Sequence, residues 1–354
     1  MRGARETMRP VPSLAPAAAR TDVGWRGSVV RTGCSLALLA VAFVCACDSP
    51  QPGTFPDRVV GFIHTGQDPW GPAVLPNGQT LYVPNASGNS VSVVRTEDGT
   101  VTGTIQMNGR PSFAMPTPDG RFVYVTNSFE GLVEKISTDD NTVVARIPVP
   151  EDPLMMAISS DGSRLYVGIF RAASNTLCIV RTADDSVVAN AQVGSNPWGI
   201  KLTPDGKRLY VACASSNQVC VLSTDSDSVM DRITVTGGPA GLAMTPDGSR
   251  LYVTCPDSAE LVAIRTSDNT VTDRVRLADR SAGIAILPDG RYVYVSSFGA
   301  DYVTVLRTDD DSIVGRITVG GRPDYMGVMP DGSRLYVSVQ DGNGVAVLGT
   351  GAGE

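Results

Sequence analysis

Pro118-Asp119-Gly120-Arg121-Phe122-Val123-Tyr124-Val125-Thr126-Asn127 is the stretch that decides the fold, because the chain repeats it. Related segments stand around Asn77, Asp161, Asp205, Asp247, Asp289 and Asp331. Counted from the residue before each glycine, successive steps are 42, 42, 44, 42, 42 and 42 residues. Seven copies at one period indicate a repeat architecture, in which each unit buries its faces against its neighbours.

Within one copy, Pro118-Asp119-Gly120 supplies the residue types of a tight turn. Proline presets φ, aspartate bonds its own backbone, and glycine adopts a left-handed conformation. Phe122–Thr126 is β-branched and aromatic and reads as a strand. A polar loop leads to a second alternating run, Leu132–Ile136. A short acidic turn follows, then a third strand over Thr142–Val149 and a fourth over Pro153–Ile158. Four short strands and no amphipathic helical run describe a four-stranded antiparallel blade. The expected fold is all-β: a seven-bladed β-propeller.

Tyr82, Tyr124, Tyr166, Tyr210, Tyr252, Tyr294 and Tyr336 share one position, each followed by valine. Thr96, Thr138, Thr182, Thr224, Thr266, Thr308 and Thr350 share another. A residue type present in every blade answers to packing or turn geometry, so function belongs where the blades differ.

The consensus PDG-x-R-L-Y-V-x-N, then N-x-V-x-V-x-x-T, then V-x-x-x-I-x-V-G-x-x-P-x-G, resembles the YVTN-repeat β-propellers, and Tyr124-Val125-Thr126-Asn127 spells the family motif. The resemblance spans residues 57 to 350. It implies a secreted or surface protein of bacterial or archaeal type with a non-catalytic, binding or surface role, and it transfers no catalytic residue. A WD-type propeller is a poor match, since no Trp-Asp pair ends a blade.

Residues 1–47 lie outside the repeat and hold six arginines and two acids. The apolar run Ser35–Ala46 is too short for a membrane-spanning helix, which needs about 20 residues, but suits the core of a signal peptide. Val44-Cys45-Ala46-Cys47 resembles a lipobox, with Cys47 as the lipidated residue. An ordinary secretory cleavage near Ala46 is the alternative. No methionine falls between Met8 and this core, so a start at Val29 or Val30 is a further expectation. The expected address is extracytoplasmic, anchored to a membrane only through lipid. Residues 48–56, proline-rich and polar, read as a linker. Asp57–Ile63 aligns with the outermost strand of a blade, and the last repeat stops near Leu348 short of its own. The N-terminal strand is therefore expected to complete the seventh blade and close the ring.

Removing residues 1–47 moves the formal charge from −7 to −11. So acidic a surface is a poor match for nucleic acid, whose phosphates call for Lys and Arg. Asp98, Asp140, Asp185, Asp227, Asp268 and Asp310 recur in turns and read as solvated turn formers, without calcium-loop spacing. The single histidine, His64, reads as a surface residue and leaves no Ser-His-Asp set elsewhere. No CxxC, GxGxxG, Walker or HExxH motif occurs, so neither cofactor nor metal is expected. Cys178 and Cys220 fall at equivalent positions of adjacent blades, as do Cys213 and Cys255, and the four read as small apolar fillers, disulfides being the alternative.

One face of a propeller collects the links between blades and the loops after the Tyr-Val strands. The residue before each repeated proline, or its counterpart, runs Asp68, Arg110, Asp152, Asn196, Gly238, Arg280, Arg322. Trp70, Phe113, Met155, Trp198 and Tyr325 stand beside them. The two extra residues of the longer step fall on the same face, within 168–175. Lys201 interrupts a row that is otherwise small or apolar. Arg110, Arg280 and Arg322 are expected on one side of the channel mouth, where guanidinium forks suit carboxylate or phosphate. Trp70, Trp198, Tyr325 and Lys201 complete the candidate ligand site. The leading reading is a monomeric, non-enzymatic binder of a protein or small ligand, anionic in character. A lactonase-type propeller hydrolase and a structural cell-surface component are the alternatives.

Overall fold

The computed structural model describes residues 55–150, 152–170, 174–278 and 280–349. Residues 1–54 are outside it, and with them the expected signal peptide, Cys47 and most of the expected linker. So is Thr350.

The described residues form seven four-stranded antiparallel sheets. In the second blade the strands are Pro111–Pro116, Phe122–Asn127, Leu132–Ser137 and Val143–Pro148, ordered from the axis outward. These agree with the runs read from the sequence to within about a residue. Each blade's inner strand neighbours the next, and Pro323–Val328 returns to Ala73–Val74, so the ring is closed. Arg58–His64 pairs antiparallel with Gly344–Gly349, its Phe62 opposite Ala346, and supplies the outer strand of the seventh blade. Phe55, which composition assigned to the linker, is buried and stacks on Tyr292 at a centroid distance of 4.3 Å. The chain thus joins the propeller before its first strand.

The two invariant positions have separate physical jobs. Six of the repeated threonines donate through Oγ1 to the carbonyl of the turn glycine at 2.5–2.8 Å, fastening the third strand's end to the turn before the second. Those glycines hold φ of 70–73°, where a side chain would be strained. All seven repeated tyrosines are buried between blades. Several hydroxyls reach the next blade: Tyr82 donates to Asn141 at 2.6 Å, Tyr210 to Asn269 at 2.9 Å and Tyr252 to Asp311 at 2.6 Å. Burial raises the tyrosine pKa values, to about 12 for Tyr82, so the phenols stay neutral donors. Arginines of the same edge add a second tie, as in Arg334 Nη1 to the Thr96 carbonyl at 2.9 Å, which joins the seventh blade to the first.

The turn aspartates divide by this role. Asp98, Asp268 and Asp310 are exposed partners of Arg95, Arg265 and Arg307. Asp185 and Asp227 depart from the expectation of solvated turn formers: they ion-pair with Lys135 and Arg164 of the preceding blade at 3.0 and 2.9 Å. His64 is exposed at the end of the first strand. Cys178, Cys213, Cys220 and Cys255, the four cysteines among the described residues, are buried thiols. Cys220 lies opposite Val211, but Cys213 reaches diagonally across the hairpin and donates to Cys220 Sγ at 3.7 Å, while Arg232 Nη1 stands 3.1 Å from the same sulfur. This pair is a polar contact inside the core, beyond the role of apolar filling.

Candidate functional site

The link residue before each inner strand is fixed by backbone geometry. Asp68, Asp152 and Asn196 have φ of 56°, 62° and 61°, and Gly238 has 65°. Asp, Asn and Gly are the residues that tolerate this left-handed conformation. Arg280 and Arg322 hold it too, at 57° and 58°. Their carbonyls accept backbone hydrogen bonds from Phe298 and Gln340, as Asp68 does from Ala86, so link and following loop are tied in the same way in all three blades. Arginine gains nothing from the backbone there. Its side chain is the reason to look at these two positions.

Both side chains enter one cavity of about 370 Å³ at this face. Arg110, Trp70, Trp198 and Tyr325 line it as well, so six of the seven residues singled out from the sequence are brought together. Lys201 is not among its lining residues. It projects from the inner strand Pro197–Leu202 opposite Tyr210, exposed, with its ammonium pKa lowered by desolvation from the surrounding protein.

The aromatic residues form the cavity's floor. Trp198 Nε1 donates to Tyr325 Oη at 2.6 Å, joining the fourth blade to the seventh. Tyr325 packs edge-on against Phe113 at 4.3 Å and lies 6.1 Å from Trp70, and Phe170 packs against Trp198 at 4.8 Å. Tyr325 is 5% exposed, and burial pushes its pKa well above the usual value. Gly71 makes room for this cluster, since a Cβ there would collide with the Phe113 ring.

The three guanidinium groups differ in what already holds them. Arg110 Nη2 donates to Asp68 Oδ2 at 3.1 Å and stacks over Trp70 at 5.5 Å. Asp68 is further held by Trp70 Nε1 at 3.2 Å and Ser87 Oγ at 3.0 Å. Arg322 lies over Phe298 at 4.6 Å, donates to Gln340 Oε1 at 2.7 Å and stands 3.4 Å from Asp341. Arg280 is exposed and makes no side-chain hydrogen bond or ion pair among the described residues.

Among the acids, Asp68 neutralises an arginine as a rim residue would. Asp324 does not. It is 6% exposed and lines the cavity, its Oδ2 accepts from Gln340 Nε2 at 3.0 Å, and its Oδ1 has no hydrogen bond among the described residues. Burial, together with the charge of Asp68, raises its pKa from 3.8 to about 7, and Arg322 offsets this only in part. Phe298, Gln340, Asp257 and Asp324 complete the site beyond the residues the sequence nominated. Position gave a signal for three of them, which follow Tyr-Val strands on this face. For Asp324, burial was the deciding property and composition does not reveal it.

A family model described as "Lactonase, 7-bladed beta-propeller" matches residues 266–352. That stretch contains Arg280, Phe298, Arg322, Asp324, Tyr325 and Gln340. No curated protein matches the chain. Among solved structures, hydrazine synthase of Kuenenia stuttgartiensis is similar, at 24% identity and TM-score 0.76 over 82% of this chain and 98% of that one. The β-propeller domain of Myceliophteria thermophila Cps50 (Swd1) is similar at 11% identity and TM-score 0.73 over 83% and 100%. At these identities the likeness is one of fold.

Proposed function

We propose that this propeller is a non-enzymatic, extracytoplasmic lipoprotein that binds a small molecule through an anionic group at the channel mouth. Arg280 carries this reading. A guanidinium with no protein partner among the described residues, on a backbone conformation that the first, third, fourth and fifth blades give to Asp, Asn or Gly, faces an aromatic-floored cavity. A carboxylate or phosphate would accept its paired N–H donors, each charge-assisted bond contributing about 1.5–3 kcal/mol. Two such bonds, with Phe298 and Trp70 covering apolar surface, suffice for affinity near the micromolar range, about −8 kcal/mol. The leader and the lipobox-like Val44–Cys47 support the address, and the YVTN-type repeat supports the non-catalytic role.

A second reading, a hydrolase of lactone type, draws on the family model that covers the Arg280–Gln340 half of the cavity. Asp324, a carboxyl with pKa near 7 facing that cavity, has the property a proton carrier needs.

Calorimetric titration of small carboxylates and organic phosphates into the wild type and Arg280→Asn tests the first reading. Asparagine suits the backbone at this position, so folding is preserved. Saturable heats that weaken at least tenfold in the variant are expected; equal heats in both proteins would remove the proposal. A hydrolysis assay with simple lactones on the wild type and Asp324→Asn separates the second reading, which turnover lost in the variant would favour.

A further inference from the structure

The cavity's charges do not describe a site for a plain anion. Its lining carries three cations, Arg110, Arg280 and Arg322, against three carboxyls, Asp68, Asp257 and Asp324. Protein partners account for some of them: Arg110 and Asp68 satisfy each other, and Arg322 is held by Gln340 and Asp341. What the described residues leave without an ion-pair partner at the ligand space is one guanidinium, Arg280, and two carboxyls: Asp257, which is exposed, and Asp324, which is buried and bonded only to Gln340.

A buried carboxylate without a counter-ion is costly, and an isolated one shifts toward its neutral form. Asp324 is in that state, with the negative charge of Asp68 adding to the effect. Gln340 contributes one neutral donor, and the nearby Arg322 is engaged elsewhere. An added cation able to donate hydrogen bonds would relieve it. A primary ammonium is compact and carries three N–H donors. A ligand bringing only an anion would instead increase the negative charge around Asp324.

We infer that the mouth cavity takes a small amino acid-like zwitterion, its carboxylate on Arg280 and its primary ammonium on the Oδ1 of Asp324. The apolar part of the ligand would rest on Phe298 and the Trp70–Trp198 floor. This rests on the reading of the cavity as an anion-binding site and narrows its ligand class. It also gives the acids of the site a role that a rim ion pair would not.

Matched pairs of compounds test it on the full-length protein. Titration calorimetry compares L-phenylalanine with 3-phenylpropanoate, and 5-aminopentanoate with pentanoate, against the wild type, Asp324→Asn and Arg280→Asn. On the wild type, at least one amino compound should bind tenfold or more tightly than its des-amino counterpart. Asp324→Asn should reduce that ratio to near one, and Arg280→Asn should weaken both members of the pair. The wild-type ratio decides even where a variant folds poorly. Des-amino acids that bind as tightly as amino acids, with Arg280→Asn still weakening both, would overturn the zwitterion and leave the anion site standing. Absence of binding by every compound would overturn both.

Discussion

Trp198 Nε1 donates to Tyr325 Oη at 2.6 Å although the two residues are 127 positions apart and belong to the fourth and seventh blades. The bond closes the floor of the mouth cavity and links inner strands that are not neighbours in the ring. Trp198→Phe leaves the Tyr325 hydroxyl buried without its donor, and a loss of about 1–3 kcal/mol in unfolding free energy is expected. Tyr325→Phe should cost less, because the half-buried Trp198 indole can find water. Denaturant unfolding of both variants and the double mutant measures the coupling, and a vanishing interaction energy would contradict a bond that bears on stability.

The junction between the last blade and the first lacks one latch. Asn141, Asp185, Asp227, Asn269 and Asp311 occupy one left-handed turn position, three of them accepting from the preceding blade's repeated tyrosine in good geometry. In the first blade that position is Gly99, at φ 72°, and Tyr336 Oη is buried without a partner. Gly99→Asn supplies the acceptor, keeps a tolerated conformation and meets only the flexible tip of Ile63 at 3.2 Å. A gain of about 1 kcal/mol is expected in thermal or urea unfolding, with no gain when combined with Tyr336→Phe.

Ring closure rests on Arg58–His64 and its pairing with Gly344–Gly349. Deleting residues 57–63 exposes the edge of the seventh blade, an invitation to intermolecular pairing. A large fall in Tm, or aggregation in light scattering, is expected. An unchanged melt would show that the other ties between the blades suffice.

Asp324 should leave a signature in stability against pH. Its folded pKa is raised, from 3.8 to about 7, so its stabilising contribution is present below about pH 4 and is lost as pH rises toward 7. Asp324→Asn removes this dependence. The variant's stability relative to wild type should therefore grow between pH 4 and 7, by no more than about 4 kcal/mol for a three-unit shift. Urea midpoints at several pH values check it, and parallel pH profiles would argue against a raised carboxyl.

Cys47 lies outside the described residues and is testable in cells. If it is lipidated, the wild type should partition with membranes and carry the mass of an acylated N-terminus, and Cys47→Ala should be released. An equally membrane-bound variant would remove the lipoprotein proposal.

Much of this molecule was legible in the sequence because a repeat states its own register. The Tyr-Val strands, the Pro-Asp-Gly turns and the borrowed outer strand each follow from periods and turn chemistry. The mouth residues were legible by difference: Arg110, Arg280 and Arg322 stand where the first, third, fourth and fifth blades carry Asp, Asn or Gly. What stayed hidden depends on radial direction and depth. Lys201 breaks an inner-strand row yet stands apart from the cavity lining. Asp324, which its place in the sequence did not single out, is separated from Asp68 only by its burial. The Trp198–Tyr325 bond and the Cys213–Cys220 contact arise from side-chain reach, one across the mouth and one diagonally across a hairpin, which residue spacing does not encode.

Trp70 and Trp198 both line the cavity, and the only other tryptophan is Trp25 in the leader. In a chain beginning at Asp48, tryptophan fluorescence, excited selectively over tyrosine, therefore reports on the mouth alone. Titrating that protein with amino acids lacking absorbance overlap, such as L-leucine and 5-aminopentanoate, and with their des-amino counterparts is the most direct test that the mouth holds a ligand. A saturable change in tryptophan emission, shifted at least tenfold to higher concentration by Arg280→Asn, is the expected result. Emission that stays flat across the series, or saturates identically in the variant, would contradict a ligand site at Arg280.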